Sequence, residues 1–122
     1  MNYDTNNIFA KIIRGEIPCN KVYEDEYVLA FNDISPQAPI HVLLIPKGEY
    51  ISFDDFSAKG SAQEITGFYQ AVQKVATQLD LQNDGYRIIS NMGASAHQEV
   101  MHYHLHLLAG CDLGRMVRAG LV

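Results

Sequence analysis

Five short segments of the chain have the hydrophobic patterns that are typical of β-strands. They lie at residues 21–25, 27–33, 41–46, 86–91 and 100–108, and apolar, β-branched and aromatic side chains are frequent in them. An acidic break separates the first two segments, which predicts a hairpin. The last segment alternates between polar and apolar positions, which indicates a strand with two different faces.

Two other segments repeat apolar residues every three or four positions, as helices do. The longer one covers residues 61–80, and Ser61 and Glu64 form a capping-box pattern at its start. The shorter one covers residues 6–14, where Asn6 is expected to act as the N-cap.

The order of these elements favours an α+β fold. Short loops join most neighbouring strands, so we expect an antiparallel sheet with the longer helix lying across one face. Residues 1–110 are expected to form a single domain, and residues 111–122 a tail whose structure the pattern does not predict.

Composition narrows the class of protein. The chain has 122 residues, a formal net charge of −5 and 48% hydrophobic residues, which is typical of one globular domain. Scattered basic residues argue against a nucleic-acid surface, and no apolar run approaches the length of a membrane helix. Cys19 and Cys111 have no metal-binding spacing, and we interpret them as reduced thiols of a cytoplasmic protein.

The stretch HYHLHLLAG at residues 102–110 holds three of the five histidines, at every second position. On a strand, His102, His104 and His106 would point to one face, with the apolar residues between them pointing to the other. Imidazole titrates near neutral pH, so such a row suits nucleophilic or acid–base catalysis, and we favour that interpretation.

Two other interpretations of the three histidines stay open. The first is a polar strand face in contact with solvent. The second is a metal site formed by His41, His102 and His104, although no cysteine or carboxylate is placed as an obvious further ligand.

The motif His-x-His-x-His followed by two apolar residues resembles the histidine triad (HIT) family. Residues 8–18, 29–47 and 98–110 all resemble the nucleotide-binding branch of this family, which hydrolyses nucleoside phosphoramidates. The resemblance implies a five-stranded antiparallel sheet with one long and one short helix, extended across a homodimer. It also implies a purine nucleoside monophosphate pocket and a covalent nucleotidyl-histidine intermediate.

The resemblance also implies a role for each matched residue. His104 is the expected nucleophile, His106 is expected near the phosphate, and His102 and His41 are expected to support and orient the nucleophile. Asp33 matches the carboxylate that binds the ribose hydroxyls. The remaining nucleotide-binding positions are the apolar walls around the base, Phe9, Ile12, Phe31, Ile34 and Leu43, and the loop at the phosphate, Asn91, Gln98, Glu99 and Val100.

Each of these residues also has a purely structural interpretation. Asp33 could cap a turn, the apolar residues could belong to the core, and His41 could be a buried histidine with satisfied hydrogen bonds. Only the joint pattern favours the functional roles.

The chain departs from the family pattern at three places. His97 and Glu99 stand where the related branch has Gly and Ser, which puts the preference for a leaving group in doubt. A carboxylate at position 99 would repel a phosphate, or it would hold the amine of a phosphoramidate. Asn7 and Ala10 occupy the places of a zinc-binding CxxC in some bacterial relatives, so we expect no structural zinc, and we expect no other metal or cofactor.

The function expected from this resemblance is hydrolysis of purine nucleoside 5′-phosphoramidates of the adenosine 5′-monophosphoramidate type. A dinucleoside polyphosphate hydrolase and a nucleotide-binding interaction protein with negligible turnover are the alternatives. The expected partners are the purine nucleotide and a second copy of the chain, with no nucleic acid and no membrane.

Overall fold

The computed structural model describes residues 1–122 and contains a five-stranded antiparallel sheet. The order of the strands in the sheet is β1-β2-β3-β5-β4, so β3 lies at its centre. This confirms the predicted sheet. The strands are β1 (Lys21–Glu24), β2 (Val28–Asn32), β3 (Ile40–Pro46), β4 (Arg87–Ile89) and β5 (Leu105–Ala109).

Three helices accompany the sheet, α1 (Ile8–Ile13), α2 (Phe53–Lys59) and α3 (Ala62–Gln78). The capping box of Ser61 and Glu64 is confirmed at the start of α3. The cap of α1 is Asn7 and not Asn6, because it is the Asn7 side chain that accepts from the Ala10 backbone N–H.

The predicted short and long helices correspond to α1 and α3, and the structure adds α2, which the sequence analysis did not predict. This helix has seven residues and buries only Phe56, so it lacks the long apolar stripe that marks α3. A signal was present nevertheless: Ser52 is the N-cap of α2, and its hydroxyl accepts from the backbone N–H of Asp55 three positions later.

The sheet has two buried faces with different partners. On one face, α3 and α2 cover a core that includes Val28, Leu44 and Leu107. On the other face, Phe9 of α1 packs on a smaller apolar cluster with Leu29, Phe31, Leu43 and Ile45. Because side chains alternate along a strand, His41 on β3 and His106 on β5 share this second face.

The strand predicted at 100–108 begins only at Leu105, and the physical reason is Pro46. In the register of β3 and β5, Leu44 pairs with Leu105, and the pairing stops there. Pro46 has no backbone N–H with which to extend the ladder. Its carbonyl accepts instead from the ring Nε2 of His102, at 2.8 Å.

The irregular segment before β5 is held by Tyr103, which lies between the first two histidines of the motif. Its ring stacks on Phe56 of α2 at 5.2 Å between centroids, and its hydroxyl bonds that of Tyr69 at 2.8 Å. Its backbone N–H donates to the Tyr50 carbonyl. The core therefore fixes the backbone from which the neighbouring histidines project.

The last residues, 111–122, form no helix or strand. The guanidinium of Arg87 on β4 donates to the carbonyls of Leu113, Gly114 and Arg115, which ties the start of this tail to the edge of the sheet. No helix of the chain has the length and apolar character that crossing a membrane requires. The homodimer stays a prediction.

Candidate active site

A cavity of about 570 Å³ opens on the face of the sheet that α1 covers. This volume is within the usual range for a small-molecule site. Two predicted site residues, His102 and Gln98, do not line it. The others all do: Phe9, Ile12, Phe31, Asp33, Ile34, His41, Leu43, Asn91, Glu99, Val100, His104 and His106.

One end of the cavity is apolar. Phe9, Phe31 and Leu43 are buried and belong to the small core cluster, so they serve both the core and the wall of the cavity. Ile34, in contrast, is 96% exposed at the rim. An exposed isoleucine at the edge of a cavity gains burial when a flat apolar ligand covers it.

His104 lies on the cavity wall, and one of its ring nitrogens makes a hydrogen bond. Its Nδ1 lies 2.8 Å from the backbone carbonyl of His102, and because a carbonyl only accepts, Nδ1 carries the proton. Phe9 packs edge-on against the ring, with 5.0 Å between centroids. Burial lowers the pKa of His104 below its usual value, so the ring is neutral at neutral pH and its Nε2 has a free lone pair.

His106 has the opposite tautomer, which a chain of hydrogen bonds imposes. The backbone N–H of Gln37 donates to Nδ1 of His41 at 3.0 Å, so the proton of His41 is on Nε2. That Nε2–H donates to Nδ1 of His106 at 2.8 Å. The proton of His106 is therefore on Nε2. Burial, with a smaller effect of the neighbouring histidines, lowers the pKa of His106 to about 4.

The two free Nε2 atoms face the cavity. No buried side-chain nitrogen or oxygen lacks a hydrogen-bond partner, and neither of these atoms has one, so both are accessible. The centroids of the His104 and His106 rings lie 5.2 Å apart. One cavity thus presents a nitrogen lone pair on His104 and an N–H donor on His106.

Asp33 caps a turn, as its structural interpretation expected, and it also lines the cavity. Its Oδ1 accepts from the backbone N–H of Ser35 at 2.8 Å, which is the turn-capping role. Its Oδ2 lies 3.5 Å from Nε2 of His41, and the residue lines the cavity. This carboxylate opposes the effect of burial, which lowers the pKa of His41.

Gln98, which the resemblance places in the loop at the phosphate, does not line the cavity. Its side-chain nitrogen donates to the carbonyls of Ile51 and Val100, and its oxygen accepts from the Gly93 N–H. Gln98 therefore braces the loop from the inside. His97 before it has a left-handed backbone, with φ 59° and ψ 44°, a conformation that favours glycine.

His102 lies on the same side as His104, since both rings pack against Phe9, but it does not line the cavity. It is fully buried, and both of its ring nitrogens are bonded. Nε2–H donates to the Pro46 carbonyl, so Nδ1 accepts from the Tyr3 hydroxyl, at 2.5 Å. Burial lowers the pKa of His102 to about 4.

Tyr3 is a residue that sequence reasoning missed. It acts on the site through the backbone: it helps to hold the His102 ring, and the carbonyl of the same residue holds the His104 tautomer. The two residues are 99 positions apart, and no local pattern connects them. The cavity-lining residues that sequence reasoning missed are Ile8, Pro18, Cys19, Asn20, Asn32, Ser35, Gln37, Ala96 and His97.

The proposed metal set of His41, His102 and His104 is not assembled, since both nitrogens of His102 are already bonded. The ligand atoms that do converge belong to Asp33, His41 and His106, within 4.8 Å of one another. The hydrogen bond between the two histidines occupies His41 Nε2 and His106 Nδ1, so a cation there would have to replace it.

We expect Tyr3→Phe to lower the free energy of unfolding by about 1–3 kcal/mol, because it leaves the buried Nδ1 of His102 without a donor. Urea denaturation measures this. Tyr86→Phe is the matched control, since the hydroxyl of the exposed Tyr86 makes no hydrogen bond. Equal stability of the two variants would contradict the role of Tyr3.

The buried histidines also predict how stability changes with pH. The pKa of His102 is about 4 in the folded protein and about 6.5 in an unfolded chain. The unfolded state therefore binds more protons between these values, and the free energy of unfolding falls as the pH decreases from about 6.5 towards 4.

His102→Gln isolates this effect, because a glutamine amide can donate to Pro46 and accept from Tyr3 without titrating. From the slope of unfolding free energy against pH near pH 5, we expect proton uptake on unfolding to fall by about one in the variant. An unchanged slope would show that His102 is not the group responsible.

The comparisons with known proteins agree with this geometry. Residues 14–113 match the HIT domain family. The chain is 55% identical over 118 residues to an uncharacterised HIT-like protein of Azospirillum brasilense, covering 97% of each chain. It is 46% identical over 110 residues to the purine nucleoside phosphoramidase of Escherichia coli, covering 90% of this chain and 92% of the relative.

A solved histidine triad protein of Clostridium difficile superposes with a TM-score of 0.85 at 41% identity, covering 94% of this chain and 98% of the other. The family match extends over residues 14–113, which include the three histidines and most of the cavity-lining residues. The protein therefore belongs to the HIT domain family.

Proposed function

We propose that the protein hydrolyses purine nucleoside 5′-phosphoramidates, with adenosine 5′-monophosphoramidate as the reference substrate. The observation that supports this most strongly is the pair of opposite tautomers in one cavity, a lone pair on His104 and an N–H donor on His106. The similarity to the purine nucleoside phosphoramidase of Escherichia coli supports the same substrate class.

In the first step, Nε2 of His104 forms a bond to phosphorus and the phosphorus–nitrogen bond breaks. The electron pair of the broken bond leaves with the amine nitrogen, which solvent protonates. Negative charge is spread over the phosphoryl oxygens in the transition state, and the Nε2–H of His106 is the donor that faces it.

In the second step, water attacks phosphorus and the bond to Nε2 breaks. His104 in the intermediate carries a proton on Nδ1 and phosphorus on Nε2, so the ring is cationic and leaves as a neutral imidazole. The carbonyl of His102 holds the Nδ1–H throughout. The products are the nucleoside monophosphate and the regenerated neutral His104, with the proton of water passing to solvent.

The remaining walls would position the nucleotide. The apolar end, with Phe9 and Phe31, would hold the purine, and Ile34 would close over it. The Oδ2 of Asp33 would accept from the ribose hydroxyls. Asn91 and the backbone that leads to Val100 lie where the phosphate would meet the loop, and Gln98 holds that loop in place.

The charge of the cavity favours a phosphoramidate over a dinucleoside polyphosphate. No Lys or Arg lines it, whereas Asp33 and Glu99 do. A polyphosphate leaving group would bring further negative charge to a site that has no Lys or Arg to neutralise it.

The test removes the imidazole of His104 by substitution and then adds free imidazole to the solution. His104→Gly is expected to reduce kcat for adenosine 5′-monophosphoramidate by at least about a thousandfold, since the covalent step is lost. Added imidazole is expected to restore part of the activity by occupying the space of the missing ring. Release of AMP is the readout.

The matched measurement is binding of AMP to wild type and His104→Gly by calorimetry, which should differ little. Retained turnover in His104→Gly would overturn the role of His104. AMP binding without turnover of any nucleotide substrate by the wild type would favour an interaction protein instead. Faster turnover of a diadenosine polyphosphate than of the phosphoramidate would reverse the substrate assignment.

A further inference from the structure

A second cavity, of about 430 Å³, lies beside the first. The two cavities share three wall residues, Ile8, Glu99 and Val100. The other walls of the second cavity come from the N-terminal segment, through residues that include Asn2 and Asp4, and from Met101. The second cavity is therefore a lateral extension of the candidate active site.

Glu99 is the charged residue at the junction of the two cavities. Its carboxylate takes part in none of the ion pairs of the chain and has no hydrogen-bond partner. Its field nevertheless reaches the nucleophile, because the charge of Glu99 acts to raise the pKa of His104 against the larger effect of burial. An unpaired carboxylate in this position can accept a cation that enters with a substrate.

The covalent geometry of the substrate decides which part comes near Glu99. In an in-line displacement the leaving group departs opposite the attacking nitrogen. The nucleoside, in the proposed function, occupies the apolar end at Phe9 and Phe31. The amine is bonded to the same phosphorus that His104 attacks, so it lies in the cavity that Glu99 also lines, beside the second cavity.

We propose that the second cavity receives the leaving amine, and that Glu99 selects amines that carry a positive charge beyond the scissile nitrogen. This inference rests on the proposed function. Neither cavity is lined by Lys or Arg, and in the second cavity the carboxylates of Asp4 and Glu99 outnumber the one cation, the N-terminal amino group of Met1. A cationic amine is therefore favoured there over an anionic one. The substrate class is nucleoside 5′-phosphoramidates of diamines or of basic amino compounds.

The test uses three adenosine 5′-phosphoramidates that differ at the far end of the amine. Diaminopropane ends in an ammonium group, butylamine is its neutral isostere, and β-alanine ends in a carboxylate. In wild type we expect kcat/KM for the diaminopropane compound to exceed that for the butylamine compound by about threefold to tenfold, with the β-alanine compound slowest. Added salt should reduce these ratios.

Variants assign the selectivity to one residue. Glu99→Gln is expected to bring the ratio of cationic to neutral substrate to within about twofold of one, and Glu99→Lys to invert the order, since the local charge is removed or reversed. Glu26→Gln is the matched control: it removes one negative charge at an exposed residue outside both cavities, and it should keep the wild-type ratio.

The outcomes separate the two proposals. If wild type hydrolyses all three compounds at similar rates, or if Glu99→Gln keeps the wild-type ratio, the role of Glu99 is overturned and the proposed function stands. If wild type hydrolyses none of them but releases AMP from adenosine 5′-monophosphoramidate, only the inference is overturned, and if it hydrolyses neither, both proposals are overturned. Charge selectivity that is lost in Glu99→Gln and kept in Glu26→Gln supports the inference.

Discussion

The hydrogen bond from Nδ1 of His104 to the carbonyl of His102 is the interaction on which the site depends. A backbone carbonyl cannot donate, so this bond leaves the imidazole one tautomer, with its lone pair turned to the cavity. Burial adds the second condition, because it lowers the pKa of the ring and keeps it neutral. Together, these two constraints keep the ring neutral, with the lone pair of Nε2 available to react.

Much of the fold serves to hold that carbonyl in place. Pro46 ends the pairing of two strands and gives its own carbonyl to the His102 ring, while Tyr3 closes the other side of that ring. Tyr103 locks the next residue into the aromatic core through Phe56. The histidine motif is thus an irregular segment that the core holds rigidly, and only its last member lies on a strand.

The sheet and the long helix were predictable from local periodicity, and most of the cavity residues from the resemblance to the HIT family. Ser61 and Glu64 form their capping box from neighbouring residues, and Phe31 and Leu43 follow the alternation of their strands. The parts that were missed depend on distant partners. The contact of Tyr3 with His102 spans 99 positions, and neither residue shows it locally. Likewise, the inward turn of Gln98 depends on the carbonyl of Ile51, which belongs to a different loop.

The proposed mechanism requires two displacements at phosphorus, the first by His104 and the second by water. The stereochemical course of hydrolysis tests this most directly: a single phosphorus diastereomer of an adenosine 5′-phosphorothioamidate is hydrolysed in water labelled with heavy oxygen. Two in-line displacements predict overall retention of configuration in the adenosine phosphorothioate product. Inversion would mean that water attacks phosphorus directly, and it would contradict a covalent intermediate on His104.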